Sequence, residues 1–148
     1  MEFREEHYSF RSDIWEDLIS VIFTDDIDTS IKDQCEFQGF KAEPYLFGNK
    51  SINGCVIDLD EPNYRATWVM FKIGYCDEST IVHEIVHLVR RQLEGKGLKH
   101  NKHTTEVFAY TTAFYYKKIM SIYKDNHYDK KKAKVDMKNK PPKNEING

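Results

Sequence analysis

His83, Glu84 and His87 lie within five residues of one another in the segment Ile81-Val82-His83-Glu84-Ile85-Val86-His87-Leu88-Val89. On a helix, residues four apart share a face, so both imidazoles reach one point one turn apart, and the carboxylate sits one step round. Two imidazoles at that spacing are a natural pair of ligands for one tetrahedral divalent metal, zinc above all. Glu84 is then close to the metal without having to bind it. Apolar residues surround this triplet on most of the circumference, which predicts a buried helix. Ionisable groups in such a place need partners, because desolvating them alone costs several kcal/mol. A metal would satisfy both histidines.

Two histidines leave a catalytic zinc site one protein ligand short. The candidates are Glu106, His100, His103, Asp58, Asp60 and the three cysteines. Glu106 is the strongest. It comes nineteen residues after His87, early in the next expected helix, beyond a Gly-containing connection that folds this helix back beside the first. Its neighbours Val107, Phe108 and Ala109 are apolar, which makes a lone carboxylate there hard to leave without a cation. With three ligands in place, the fourth position holds a water acidified to a pKa of about 7, and Glu84 is the general base that takes its proton. Tyr110 or Tyr115, or a histidine of the 100–103 turn, is the candidate donor to the carbonyl oxyanion.

The elements that must hold these residues follow from pattern. Ser12-Asp13 supply capping side chains ahead of Ile14, Trp15, Leu18, Ile19, Ile22 and Phe23, which predicts a first amphipathic helix over about 13–24. From Cys35 to Gly74 the chain turns to short aromatic and β-branched stretches between Gly, Pro and Asn, which predicts strands near 36–47, 54–59 and 67–73 in a small, mostly antiparallel sheet. Asp77 to Thr80 offer an N-cap for the helix carrying the triplet, about 79–94, stopped by Gly95 and Gly97. A last helix runs over about 104–124. The expected class is α+β, in the order helix, sheet, helix, helix.

Composition bounds the rest. The chain has 148 residues, 40% hydrophobic and 31% charged, with nine Tyr, nine Phe and two Trp, enough to pack one core and too little for several domains. Its net charge is −2, but residues 129–148 hold seven Lys against three acids, a surplus of +4 that leaves −6 on residues 1–128. The expected organisation is one domain over 1–128 and a disordered, Lys-rich tail over 129–148. An acidic body repels phosphate, so nucleic acid is not an expected partner except through that tail. No apolar run approaches the about 18 to 20 residues of a membrane span, and the acidic start MEFREEHYSF is unlike a signal peptide. Three unclustered cysteines, Cys35, Cys55 and Cys76, fit a reducing compartment, so a soluble, cytoplasmic protein is expected.

The run His83 to His87 with Glu106 beyond it resembles the gluzincin metallopeptidases. The longer string TIVHEIVHLV, GKGL and EVFAYTTAFYY is similar to the small stand-alone zincin-like proteins often encoded by bacteriophages, over roughly residues 54–120. The resemblance implies a minimal zincin-like fold with His83, His87 and Glu106 as zinc ligands and Glu84 as base. It also implies a peptide or protein substrate, met in the host cytoplasm if the chain is phage-encoded. Arg90 and Leu93 stand where a metzincin has Gly and His, which excludes that branch. Gly54-Cys55 resembles the cysteine ligand segment of peptide deformylases, without the Gly-rich segment those enzymes carry near the N-terminus. A catalytically silent, zincin-like protein that binds a partner is the remaining alternative, and an intact Glu84 argues against it.

Overall fold

The computed structural model describes residues 2–12, 15–48 and 52–126. The elements are β1 (Glu5–Arg11), β2 (Leu18–Thr24), α1 (Ile27–Gln38), a 3-10 turn (Glu43–Tyr45), β3 (Gly54–Glu61), β4 (Tyr64–Lys72), α2 (Glu78–Gly95) and α3 (Thr105–Asn126). One four-stranded sheet has the order β1-β2-β4-β3. Its outer pairs are antiparallel, and its central pair β2–β4 is parallel. The α+β class and the mostly antiparallel sheet stand. No described helix is long and apolar enough to cross a membrane.

The expected helix over 13–24 is instead the strand β2, preceded by a turn in which the Asp17 amide donates to Ser12 Oγ. Leu18 to Phe23 is a nearly unbroken apolar run of β-branched and aromatic type, and all but its first residue are buried. A strand covered on both faces reads that way, and periodicity alone cannot separate it from a buried helix. The missed helix is α1. Asp26 caps it by accepting from the Thr29 amide, and Gly39, at φ 88°, closes it with left-handed backbone. Its last residues and the 3-10 turn occupy the stretch 36–47 that was expected to be a strand. β3, β4, α2 and α3 lie within a few residues of expectation; β1 was not anticipated. The tail over 129–148 lies outside the described residues.

Two cores form, one on each face of the sheet. Cys55, Ile57, Leu59, Ala66, Trp68 and Met70 face α1 with Ile27, Ile31 and Cys35. Val21, Phe23, Val56, Val69 and Phe71 face α2 and α3, meeting Ile81, Ile85, Leu88, Val89, Tyr115 and Ile119. On that second face α2 packs over β3 and β4. α3 lies toward β1, where Phe114 and Tyr115 meet the ring of Phe10 at 6.2 Å between centroids.

Candidate metal and catalytic site

α2 begins where Asp77 accepts from the Thr80 amide at 2.9 Å, and hydrogen bonding of this kind holds the Asp77 carboxyl below its usual range. This cap sets the phase of the helix. Two turns on, His83 and His87 bring their Nε2 atoms to 3.2 Å, with ring planes at 75°. Two zinc–nitrogen bonds of about 2.0–2.1 Å at a tetrahedral angle place their nitrogens about 3.3 Å apart. The pair therefore has the spacing that one ion would impose. It is also the spacing of a hydrogen bond from one neutral imidazole to the other.

Glu84 takes the opposite environment from its neighbours. His83 and His87 are exposed, whereas Glu84 is 6% exposed and is the one carboxylate among the buried described residues. Burial pushes its carboxyl up from the usual value, and the nearby His83, His87 and Arg91 work against that rise. Room for it comes from Gly54 at the start of β3: a Cβ there would stand 3.0 Å from Glu84 Cγ and 3.2 Å from Thr80 Cγ2. The glycine is thus the floor under the carboxylate.

Helical phase fixes where the histidines open. At about 100° per residue, rotation from Glu84 in one sense runs through Leu88, Ile81, Ile85 and Val89, the residues facing the sheet and α3. Rotation the other way by about 60° to 100° reaches His87 and His83. Their flank of α2 is the one away from α3, beside the outer edge of β3.

Along that edge the register is set by the Lys72 amide donating to the Asn53 carbonyl at 2.9 Å. Backbone direction alternates in an antiparallel pair, so Asn53, Cys55 and Ile57 address β4 while Gly54, Val56 and Asp58 turn their amides and carbonyls outward. One outward carbonyl is occupied: Arg91 Nη1 donates to Val56 O at 2.6 Å. Arg91 also lies 4.0 Å from Asp58, whose carboxylate accepts from Thr67 Oγ1, which in turn accepts from Gln92 Nε2. Four side chains thereby tie the helix to the sheet edge one turn beyond His87.

The other expected residues lie elsewhere. Glu106 is exposed in the first turn of α3. Lys124 Nζ meets Glu78 Oε1 at 3.7 Å, pairing the end of α3 with the start of α2. Counted from that pair at 1.5 Å per residue, Glu106 lies about 13 Å beyond His87 along the helices, and on the other flank. Among the described residues no three His, Cys, Asp or Glu side chains form a group able to hold a metal. The structure thus brings together His83, Glu84 and His87 and leaves Glu106 apart. Tyr110 is exposed on α3, and Tyr115 is fully buried, its hydroxyl pushed to about 12 by burial. Tyr115 packs against Phe10, toward β1. The His100 ring packs 4.7 Å from that of Phe108, His103 is exposed in the same connection, and Asp60 pairs with Arg65. Cys55 faces α1, on the far side of the sheet, and burial raises its thiol to about 12, opposite to what a thiolate ligand needs.

The contact of Gly54 with Glu84 and the hydrogen bond of Arg91 to Val56 are the parts of this arrangement that the sequence pattern does not predict. Arg91 falls seven residues after Glu84 and four after His87, on the same stripe, which was the available signal. A scan against protein-family models gives no match for this chain, and searches of curated proteins and of solved structures give none either.

Proposed function

We propose that this chain is a metal-dependent hydrolase of peptide bonds, with His83 and His87 as zinc ligands and Glu84 as the general base. One observation carries the reading: two imidazole nitrogens 3.2 Å apart, with a buried carboxylate on the same turn, beside a free strand edge. Zinc bound there supplies a Lewis acid that polarises a carbonyl and acidifies a water. The chain's own groups do the remainder. Glu84, raised by burial, is the group that accepts a proton and returns it to the leaving amine. Among the described residues the outward amides and carbonyls of Gly54 and Asp58 have no partner, and they are the groups to hydrogen-bond an extended peptide whose backbone runs past the histidines. β4 lies inside the sheet, paired on both sides, and has no free edge for this task. Gly54 keeps Glu84 in place, and Arg91 holds the Val56 carbonyl.

Glu106 as third ligand requires α3 to present it differently, and its substitution decides the matter. Purified protein is expected to hold about one zinc per chain, lost in His83→Ala and in His87→Ala; retention in both would remove the reading. A second reading, a zincin-like protein that binds metal and a partner without turnover, is favoured by the separation of Glu106 from the histidines. Hydrolysis that falls in Glu84→Gln while zinc stays bound excludes it.

A further inference from the structure

Among the described residues the opposite end of the sheet is also an unpaired edge, and it differs in kind. The Asp25 amide donates to the Arg4 carbonyl and the Ser12 amide to the Asp17 carbonyl, so residues 4, 6, 8, 10 and 12 of this stretch address β2. His7, Ser9 and Arg11 therefore turn their backbone groups outward, toward no strand. Beside that edge runs a groove of about 670 Å³ between β1 and α3, lined by Tyr8, Ser9, Phe10, Phe114, Lys117 and Ile122 among others. Its apolar floor is Phe10 against Phe114. Its rim is cationic: Lys118 Nζ stands 5.9 Å from the centre of the Phe10 ring, and among the described residues neither Lys117 nor Lys118 has an acidic partner.

We propose that the β1 edge docks an extended acidic peptide of a partner protein, added as a fifth strand. Its backbone would pair with His7 and Ser9. Its alternate side chains, on the α3 face, would place an apolar residue in the groove and carboxylates against Lys117 and Lys118. Charge selects this occupant. The chain's own residues 129–148 carry a net +4 and would meet the lysines with like charge. A second copy paired β1 to β1 around Ser9 would set the same two lysines against their own images. An acidic strand satisfies backbone and groove together and meets Lys117 and Lys118 with opposite charge, while the strand's own Glu6 accepts from the Tyr8 hydroxyl. None of these residues belongs to the histidine site, so the proposal stands apart from the hydrolase reading.

The test uses the full chain and a capped seven-residue peptide in which Thr alternates with Glu, Val and Glu in turn. Binding is expected to slow hydrogen exchange at the His7 and Ser9 amides and to weaken about tenfold in the Lys117→Glu, Lys118→Glu double variant. A peptide with Lys in place of Glu should bind that variant better than it binds the unaltered protein. Both lysines are exposed, so the reversal leaves the core intact. Equal affinity for the Glu and Lys peptides would overturn the proposal, as would undiminished binding of a peptide whose central Val is replaced by Pro. Protection of the same amides with protein concentration alone would overturn it too, since the edge would then serve a second copy.

Discussion

The two ends of this sheet face the same problem and meet it differently. Each has an outer strand whose alternate amides and carbonyls lack a strand partner, an arrangement that invites unwanted pairing. At β3 the helix above reaches down to the edge: Arg91 occupies the Val56 carbonyl and, through Asp58, Thr67 and Gln92, ties α2 to the sheet. At β1, among the described residues, no helix side chain is hydrogen-bonded to the outward backbone; α3 instead stands back and leaves a groove. The charged side chains Glu5, Glu6 and Arg11 within β1 disfavour its pairing with a like strand. On the proposed function, the β3 edge has to be held in fixed register with α2, which would carry the chemistry. The β1 edge, if it only receives a partner as proposed, has no such need.

The largest expected effects are at the β3 end. Glu84→Gln keeps the shape of the side chain but cannot take a proton, so hydrolysis should fall by about 10²-fold or more with zinc content unchanged. Turnover that persists would separate the edge from the chemistry and leave the two ends of the sheet alike as binding surfaces. Metal analysis of Glu106→Ala sharpens the same comparison. The placement of Glu106 about 13 Å along the hairpin from His87 predicts that this variant keeps its zinc. Loss of zinc would mean that α3 shifts to bring a third ligand to the histidine flank.

Gly54→Ala is the next test in size. The added Cβ meets Glu84 Cγ at 3.0 Å and Glu84 Oε2 at 3.3 Å, so the carboxylate must give way by a few tenths of an ångström. Overpacking of this kind costs about 1 kcal/mol in stability, and a displaced base should lower hydrolysis about tenfold. Thermal unfolding and activity read the two effects separately. Unchanged activity would show that Glu84 tolerates movement and that Gly54 is not its floor.

How far the sequence carried depends on whether a residue's role is local. The α2 helix was legible because its cap, its apolar stripe and its glycine stop all lie within the segment, and the pairing of His83 with His87 follows from helical period alone. β2 was not, since Ile19 to Phe23 owe their strand conformation to β1 and β4 on either side and to cores above and below. β1 hid because EEHYSFR alternates two aromatics with polar residues that find their partners across the sheet or on α1. The place of Glu106 was hidden for a similar reason. Sequence spacing says that α3 returns beside α2, but the flank it returns on is set by Phe10 and the β1 side of the core. Gly54 was legible as a turn residue, whereas its contact with Glu84 required the sheet to exist first.

The smallest expected effect belongs to β1 and tests whether its N-terminal end is anchored by charge. Glu5 accepts from Ser30 Oγ at 2.8 Å and from Gln34 Nε2 at 2.7 Å, both on α1, and also meets His7. Burial pushes its carboxyl up, yet the hydrogen bonds from His7, Ser30 and Gln34 outweigh burial and hold it below its ordinary value of 4.5. A carboxyl whose folded value is depressed adds stability that is fully present above its unfolded value and is lost as pH falls through the folded one. Glu5→Gln removes the charge and keeps the shape. It should therefore be less stable than the unaltered chain by about 1 kcal/mol at pH 6, and the gap should close toward pH 3 as Glu5 protonates. Unfolding midpoints at the two pH values check this. A gap of the same size at both would mean that Glu5 acts through packing alone, and that the β1 edge is joined to α1 by shape and not by a carboxylate.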